Sequence, residues 1–170
     1  PCCRSLFPIV YNPVPRDAIW KVMTGSVPSN WKESSLDVSS WQSIHVGEET
    51  VTESGNQFYR FSFDSDASMA VYELALWYRY GVAAHINGVE VFRDNLGSGT
   101  ISPSDPPQGS YGTFAYHHVI RQLLPAFTSQ STLAVEVHLP SAAESGFNGW
   151  LALYHATLLD SSRRIMLPSP

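Results

Sequence analysis

The dipeptide Asn87-Gly88 limits what this chain can fold into more than any other feature. Apolar residues alternate on both sides of it, through Gly81-Val82-Ala83-Ala84-His85-Ile86 and Val89-Glu90-Val91-Phe92-Arg93. A two-residue link between strands needs positive φ at both central positions, and Asn and Gly reach that conformation at least cost. The pattern predicts a tight antiparallel hairpin over 81–93. The turn also sets a register: Ile86 opposite Val89, His85 opposite Glu90, Ala84 opposite Val91. Side chains alternate along a strand, so Ala84, Ile86, Val89 and Val91 should share one face, directed into a core. His85 and Glu90 should pair across the strands on the solvent face, a contact worth roughly 0.2–1 kcal/mol.

A hairpin needs further strands, and the rest of the chain supplies them. In Phe58–Asp64, Tyr59, Phe61 and Phe63 alternate with Arg60, Ser62 and Asp64. Met69–Tyr78 is apolar on both sides, the pattern of a central strand covered on two faces. In Thr132–Leu139, Leu133, Val135, Val137 and Leu139 oppose Ala134, Glu136 and His138, and Pro140 ends the run. Trp150–Leu159 reads as the last strand. Trp31 and Trp41 bracket a polar turn, and strands around Ile44 and Val46 follow. Val119, Ile120, Leu123 and Leu124 fall at helical spacing before Pro125, so His117–Leu124 reads as a short helix. The sum is an all-β chain: a jelly-roll β-sandwich of about eight antiparallel strands with one short helix. Residues 1–29, broken by Pro8, Pro13, Pro15 and Pro28, read as an N-terminal arm packing on the domain. Residues 30–160 form the sandwich, and 161–170 a tail or linker.

Charge and length remove several classes of function. The 170 residues suit one domain with a real core. A net charge of −5 gives no basic footprint for nucleic acid. No apolar run is long enough to insert in a membrane as a helix. The first residue is Pro and no signal peptide is present, which reads as a mature protein or a piece of a longer one. The only cysteines, Cys2 and Cys3, are adjacent, and a trans peptide holds neighbouring sulfurs badly for a relaxed disulfide. They would find partners outside this segment, which favours an extracellular or secretory setting.

Catalytic signatures are missing. There is no Gly-x-Ser-x-Gly elbow, and Glu73, Glu90 and Glu136 sit on separate strands with nothing to bring two together across a cleft. Sugar binding needs an aromatic platform edged by amides or carboxylates. Two polar loops carry such groups: Asp94, Asn95, Tyr111 and Tyr116 around the long stretch 94–112, and Phe147, Asn148 and Trp150 beyond the second loop. If both loops follow strands of a sandwich, they reach the same end of it. Loops as long as 94–112 are uncommon in compact domains and are usually functional or mobile. Asp64-x-Asp66 offers hard oxygen ligands of the kind calcium takes, or caps its own turn.

The order of these pieces resembles the galactose-binding-domain-like jelly rolls. The resemblance is carried by Trp31…Leu36-Asp37-Val38-Ser39-Ser40-Trp41, Tyr59-Arg60-Phe61-Ser62-Phe63, Leu74-Ala75-Leu76, Gly81 through Val91, and Leu133-Ala134-Val135-Glu136-Val137-His138. It covers roughly residues 30–160. Relatives often carry acids just before the Gly that opens the hairpin, where this chain has Tyr78, Arg79 and Tyr80, so ligand contacts made by those acids do not transfer. The resemblance implies a non-catalytic module, one that binds glycans or serves in packing and adhesion beside other domains. It also implies a structural calcium, for which Asp64 and Asp66 are the candidates; no other cofactor is expected. The resulting expectation is an extracellular module for adhesion or assembly, with other domains or chains of a larger surface or filament protein as partners. The alternative is a carbohydrate-binding module that uses the loop aromatics on glycans.

Overall fold

A computed structural model of the chain describes residues 11–46, 51, 55–65, 69–112, 115–123, 130–140 and 147–155. The alternating runs become ten strands: β1 (Tyr11–Val14), β2 (Ile19–Thr24), β3 (Gln42–His45), β4 (Gln57–Asp64), β5 (Met69–Tyr78), β6 (Gly81–Ile86), β7 (Val89–Asp94), β8 (Ala115–Leu123), β9 (Gln130–His138) and β10 (Asn148–His155). They form a sandwich of two sheets, ordered β1-β10-β5-β8 and β3-β2-β4-β9-β6-β7. Every pairing is antiparallel. From β4 onward the chain changes sheet at each step except within the β6–β7 hairpin, which is the winding of a jelly roll.

The core lies between the sheets. Tyr72, Leu74, Leu76 and Tyr78 of β5 meet Val82, Ala84 and Ile86 of β6 and Leu133, Val135 and Val137 of β9. Trp20 of β2 is fully buried and packs edge-on to Tyr59 and Phe147, with ring centroids 6.5 and 5.5 Å away. Such aromatic contacts add about 0.5–1.5 kcal/mol beyond burial. The strap of turns over 25–41 then covers the outer face of the six-stranded sheet. Trp31 and Trp41 bury against Phe58 of β4 and Ala134 of β9, forming a second, smaller cluster. Arg60, 1% exposed, reaches up from β4 and donates to the carbonyls of Leu36 (3.2 Å) and Glu33 (2.5 Å) in that strap.

Several expectations change. His117–Leu123 is not a helix: it lies in β8, paired with β5 from Tyr78↔Ala115 to Val71↔Leu123, and no helix occurs among the described residues. Its apolar spacing is compatible with both periods, and the open edge of β5 decides between them. Within 1–29, β1 pairs with β10 and β2 sits between β3 and β4, so this segment contributes strands to both sheets. The hairpin keeps the pairs Ile86↔Val89 and His85↔Glu90, but a bulge then sets Ala84 against Phe92 instead of Val91. A bulge adds one residue to one strand and turns the following side chains over. Val89 is 47% exposed at the turn, whereas His85, expected at the surface, is 2% exposed because the strap covers it. Cys2, Cys3, Asp66 and the tail 161–170 lie outside the described residues.

The Asn87-Gly88 turn has the expected left-handed backbone, with φ of 50° and 80°. Asn87 also stitches the hairpin to β9: its Oδ1 accepts from the Thr132 N–H (2.9 Å) and its Nδ2 donates to Ser131 Oγ (3.1 Å). Replacing Asn87 by Ala removes both bonds and the αL preference. It should lower the unfolding free energy by about 2 kcal/mol in urea denaturation, and Gly88→Ala by about 1 kcal/mol.

Candidate functional site

The sandwich end formed by the start of β6, β8 and β10 and the end of β5 and β7 carries both polar loops. Register shows this directly: Asn148 lies opposite Trp77, Ala115 opposite Tyr78, and Asp94 opposite Val82. Asp94 is the anchor. Its Oδ2 accepts from the hydroxyls of Tyr78 (2.6 Å) and Tyr111 (2.7 Å), and its Oδ1 accepts from the Asn95 N–H (2.9 Å). Burial and the hydrogen bond to Asp94 push the Tyr78 phenol well above its usual range; the same bond raises Tyr111. Both tyrosines therefore stay neutral donors.

The long loop is tied down along its length. Asn95, at φ 53°, donates through Nδ2 to the Tyr80 carbonyl (3.3 Å), and its own carbonyl accepts from the Gln108 N–H (2.8 Å). Tyr111 and Arg79 exchange two bonds: Tyr111 N–H to the Arg79 carbonyl (2.8 Å) and Arg79 Nε to the Tyr111 carbonyl (3.1 Å). Arg93 donates to the carbonyls of Gly97 and Gly99. A Cβ at Gly109 would stand 2.6 Å from Asn95 Oδ1, so a side chain there would have to displace the Asn95 amide. Of the residues singled out for sugar contact, Asp94, Asn95 and Tyr111 thus converge on one another. Phe147 is 3% exposed and lies in the core between Trp20 and Tyr59. Asn148 is half-buried, and its Oδ1 accepts from the Gly149 N–H (2.7 Å). Tyr116 and Trp150 sit on β8 and β10 in register with Trp77 and Ala75 of β5. Asp64 ends β4 in solvent. Among the described residues no cluster of three or more His, Cys, Asp or Glu is placed to hold a metal ion.

The middle of the same loop meets a second polar centre, which pattern reading missed. Asn56 Nδ2 donates to the carbonyls of Pro103 (2.8 Å) and Asp105 (3.0 Å), while its Oδ1 accepts from the Leu139 N–H (2.9 Å). His138, fully buried, places Nδ1 2.6 Å from the Asp105 carbonyl and Nε2 3.0 Å from Glu136 Oε2. Nδ1 also lies 3.0 Å from Asn56 Nδ2, so the ring is held between Asn56 and the loop carbonyl on one side and the Glu136 carboxylate on the other. Glu136 Oε1 faces Lys32 Nζ of the strap at 3.4 Å and His85 Nε2 at 3.9 Å. Burial alone would raise the Glu136 carboxyl, but the His138 bond and the Lys32 charge outweigh it and hold it below its ordinary value. The signal in the sequence was the alternation Glu136-x-His138, polar residues opposite the apolar face of their strand, together with His85, expected at the surface. An open groove of about 910 Å³ lies beside this centre, lined by Gly25, Ser26, Gly55, Asn56, Pro103 and Leu139 among others. Asp94, Asn95, Tyr111, Phe147 and Asn148 do not line it.

No protein-family model matches the chain, and no curated protein sequence does. Solved structures share its fold. A β-glucuronidase from glycoside hydrolase family 2 matches with a TM-score of 0.58 and 13% identity, covering 88% of this chain and 18% of that one. The Bacteroides uniformis β-glucuronidase matches with a TM-score of 0.55 and 19% identity, covering 85% of this chain and 18% of that one. A β-glucuronidase from Ruminococcus gnavus matches at 0.52 and 11% identity, covering 89% and 30%. At these identities the likeness is one of fold. The chain spans less than a third of the length of each of these glycosidases.

Two measurements check the geometry. Tyr111→Phe removes one charge-assisted bond from Asp94; it should cost about 1–2 kcal/mol in denaturant unfolding and make the 97–110 loop cut faster in limited proteolysis. The second concerns pH. Burial, with Lys32 nearby, lowers His85 to about 4, against 6.5 for the free side chain. Between those values the unfolded chain binds a proton that the folded chain refuses, so stability falls as pH falls from about 6.5 toward 4. At pH 5 the loss should be about 2 kcal/mol, and His85→Gln should remove most of it. The Glu136 contribution runs the other way in position: it is kept above 4.5 and lost only as pH drops through the lowered folded value.

Proposed function

We propose that this chain is a non-catalytic β-sandwich domain of a larger carbohydrate-active protein, where it packs beside other domains and supports them. The observation that carries this reading is the match of nearly the whole chain to a single sandwich within glycosidases whose remaining length it does not span. The engagement of its carboxylates agrees. Asp94 is taken up by two tyrosine hydroxyls, Glu136 by His138 and Lys32, and Glu90 by the Arg93 guanidinium (2.6 Å). A retaining glycosidase needs two carboxyl groups about 5–5.5 Å apart with a sugar between them, one of them free to act as nucleophile. These three serve structure instead. The resemblance to galactose-binding-like modules points the same way, toward assembly within one protein.

The test uses the chain by itself and the natural protein that contains it. With aryl β-glucuronides and β-galactosides, the 170-residue chain should release no aglycone above the buffer rate. The natural protein should carry a further domain and hydrolyse at least one of these glycosides. Turnover by the chain alone, or a natural protein with no other domain, contradicts the reading.

A further inference from the structure

The strap over 25–41 is held above the buried side chains of Arg60, His85, Glu136 and His138, with Lys32, Glu90 and Arg93 at the solvent margin of the same layer. Beneath Trp31 lies His85, 2% exposed, its ring centroid 5.9 Å from that of Trp31. The groups facing His85 come from every element around it. Lys32, on the strap, sits over the Trp31 ring at 5.3 Å. Glu136 and His138 come from β9, Glu90 and Arg93 from β7, and Arg60 from β4 reaches the strap carbonyls.

The carboxylates in this layer are already committed. Glu90 is bound bidentately by Arg93, with Nε to Oε1 at 3.0 Å and Nη2 to Oε2 at 2.6 Å, and stands 3.8 Å from His85. Glu136 gives Oε2 to His138, so only Oε1 remains, and Lys32 faces it at 3.4 Å. No hydrogen bond reaches that oxygen. A neutral His85 fits this balance. A charged one competes with Lys32 for the single oxygen Oε1 and adds a second cation there, on a ring that is itself almost wholly removed from water. Water must enter to solvate the surplus charge, and among the described residues the cover directly over His85 is the strap, through Trp31 and Lys32.

We propose that the 25–41 strap is an acid-released cover: protonation of His85 displaces Lys32 from Glu136 and lifts the Trp31 end of the strap while the two sheets stay folded. Lifting it bares Phe58 and Ala134 with the Glu136 carboxylate between them, an apolar and acidic patch on the outer face of the six-stranded sheet. The strap's own backbone bonds report the event: Trp31 N–H to the Pro28 carbonyl, Glu33 N–H to Asn30 and Leu36 N–H to Glu33.

Hydrogen exchange of the 170-residue chain at pH 7 and about 4.5, corrected for intrinsic rates, tests it. Amides of 31–36 should lose about tenfold protection in acid while those of β6 and β9 keep theirs. His85→Gln should keep the strap closed at both pH values, and Lys32→Met should reduce the acid effect. In the unaltered chain, the NMR titration of the His85 ring should share its midpoint with the strap amides, a check that does not depend on any variant folding. Equal strap protection at both pH values, simultaneous loss in β9, a His85→Gln strap that opens as before, or two separate midpoints would each overturn the proposal.

Discussion

The structure depends on the centre of the six-stranded sheet being buried on both faces. All six residues of β6 are buried, as are eight of the nine residues of β9. One face meets the other sheet, and its apolar side chains give the main hydrophobic term, about 1.5–3 kcal/mol for each fully buried Leu, Val or Phe. The other face carries Arg60, His85, Glu136 and His138, which cannot be left dry without partners. The strap answers this by offering carbonyls to Arg60 and an ammonium to Glu136, while Trp31 and Trp41 exclude water around them. Polar groups thus fix where the strap sits, and the aromatic residues hold it there.

The same layer joins two parts of the surface. From Lys32 the contacts run through Glu136 and His138 to the Asp105 carbonyl, and Asn56 ties that carbonyl to Pro103. The long loop is therefore held at one end by Asp94 and in its middle by β9 and Asn56. A loop fixed in this way has already lost the conformational freedom that contact with a neighbour would otherwise remove. The role proposed for this domain would draw on that rigidity, since a surface that holds its shape can position whatever packs on it.

Much of the architecture was legible because strand periodicity is a local property. The Asn87-Gly88 turn, the alternation of Tyr59, Phe61 and Phe63, and the run Leu133, Val135, Val137 each declare a strand and its inner face without reference to the rest of the chain. Val119 and Ile120 show the limit. Their spacing fits a helix as well as a strand, and the pairing of β8 with β5 is a tertiary fact. The bulge at Ala84/His85 is similar, because one extra residue leaves no mark in composition. The polar centre was hidden for a different reason. Alternation says which residues face away from the core, but only the fold reveals that the strap covers them, so His85 read as a surface residue when it is buried. Phe147 misled in the same way: an aromatic beside a polar loop looks like a platform until Trp20 and Tyr59 are found against it.

The sealed layer is the claim on which the rest stands, and chemical modification reaches it directly. Diethylpyrocarbonate acylates neutral imidazoles, and His85 is held neutral, so only burial can protect it. Mass mapping at pH 7 should find His85 and His138 unmodified in the native chain and readily modified once guanidinium has unfolded it. Prompt acylation of either ring in the native chain would show that water reaches the layer and that the strap does not close it.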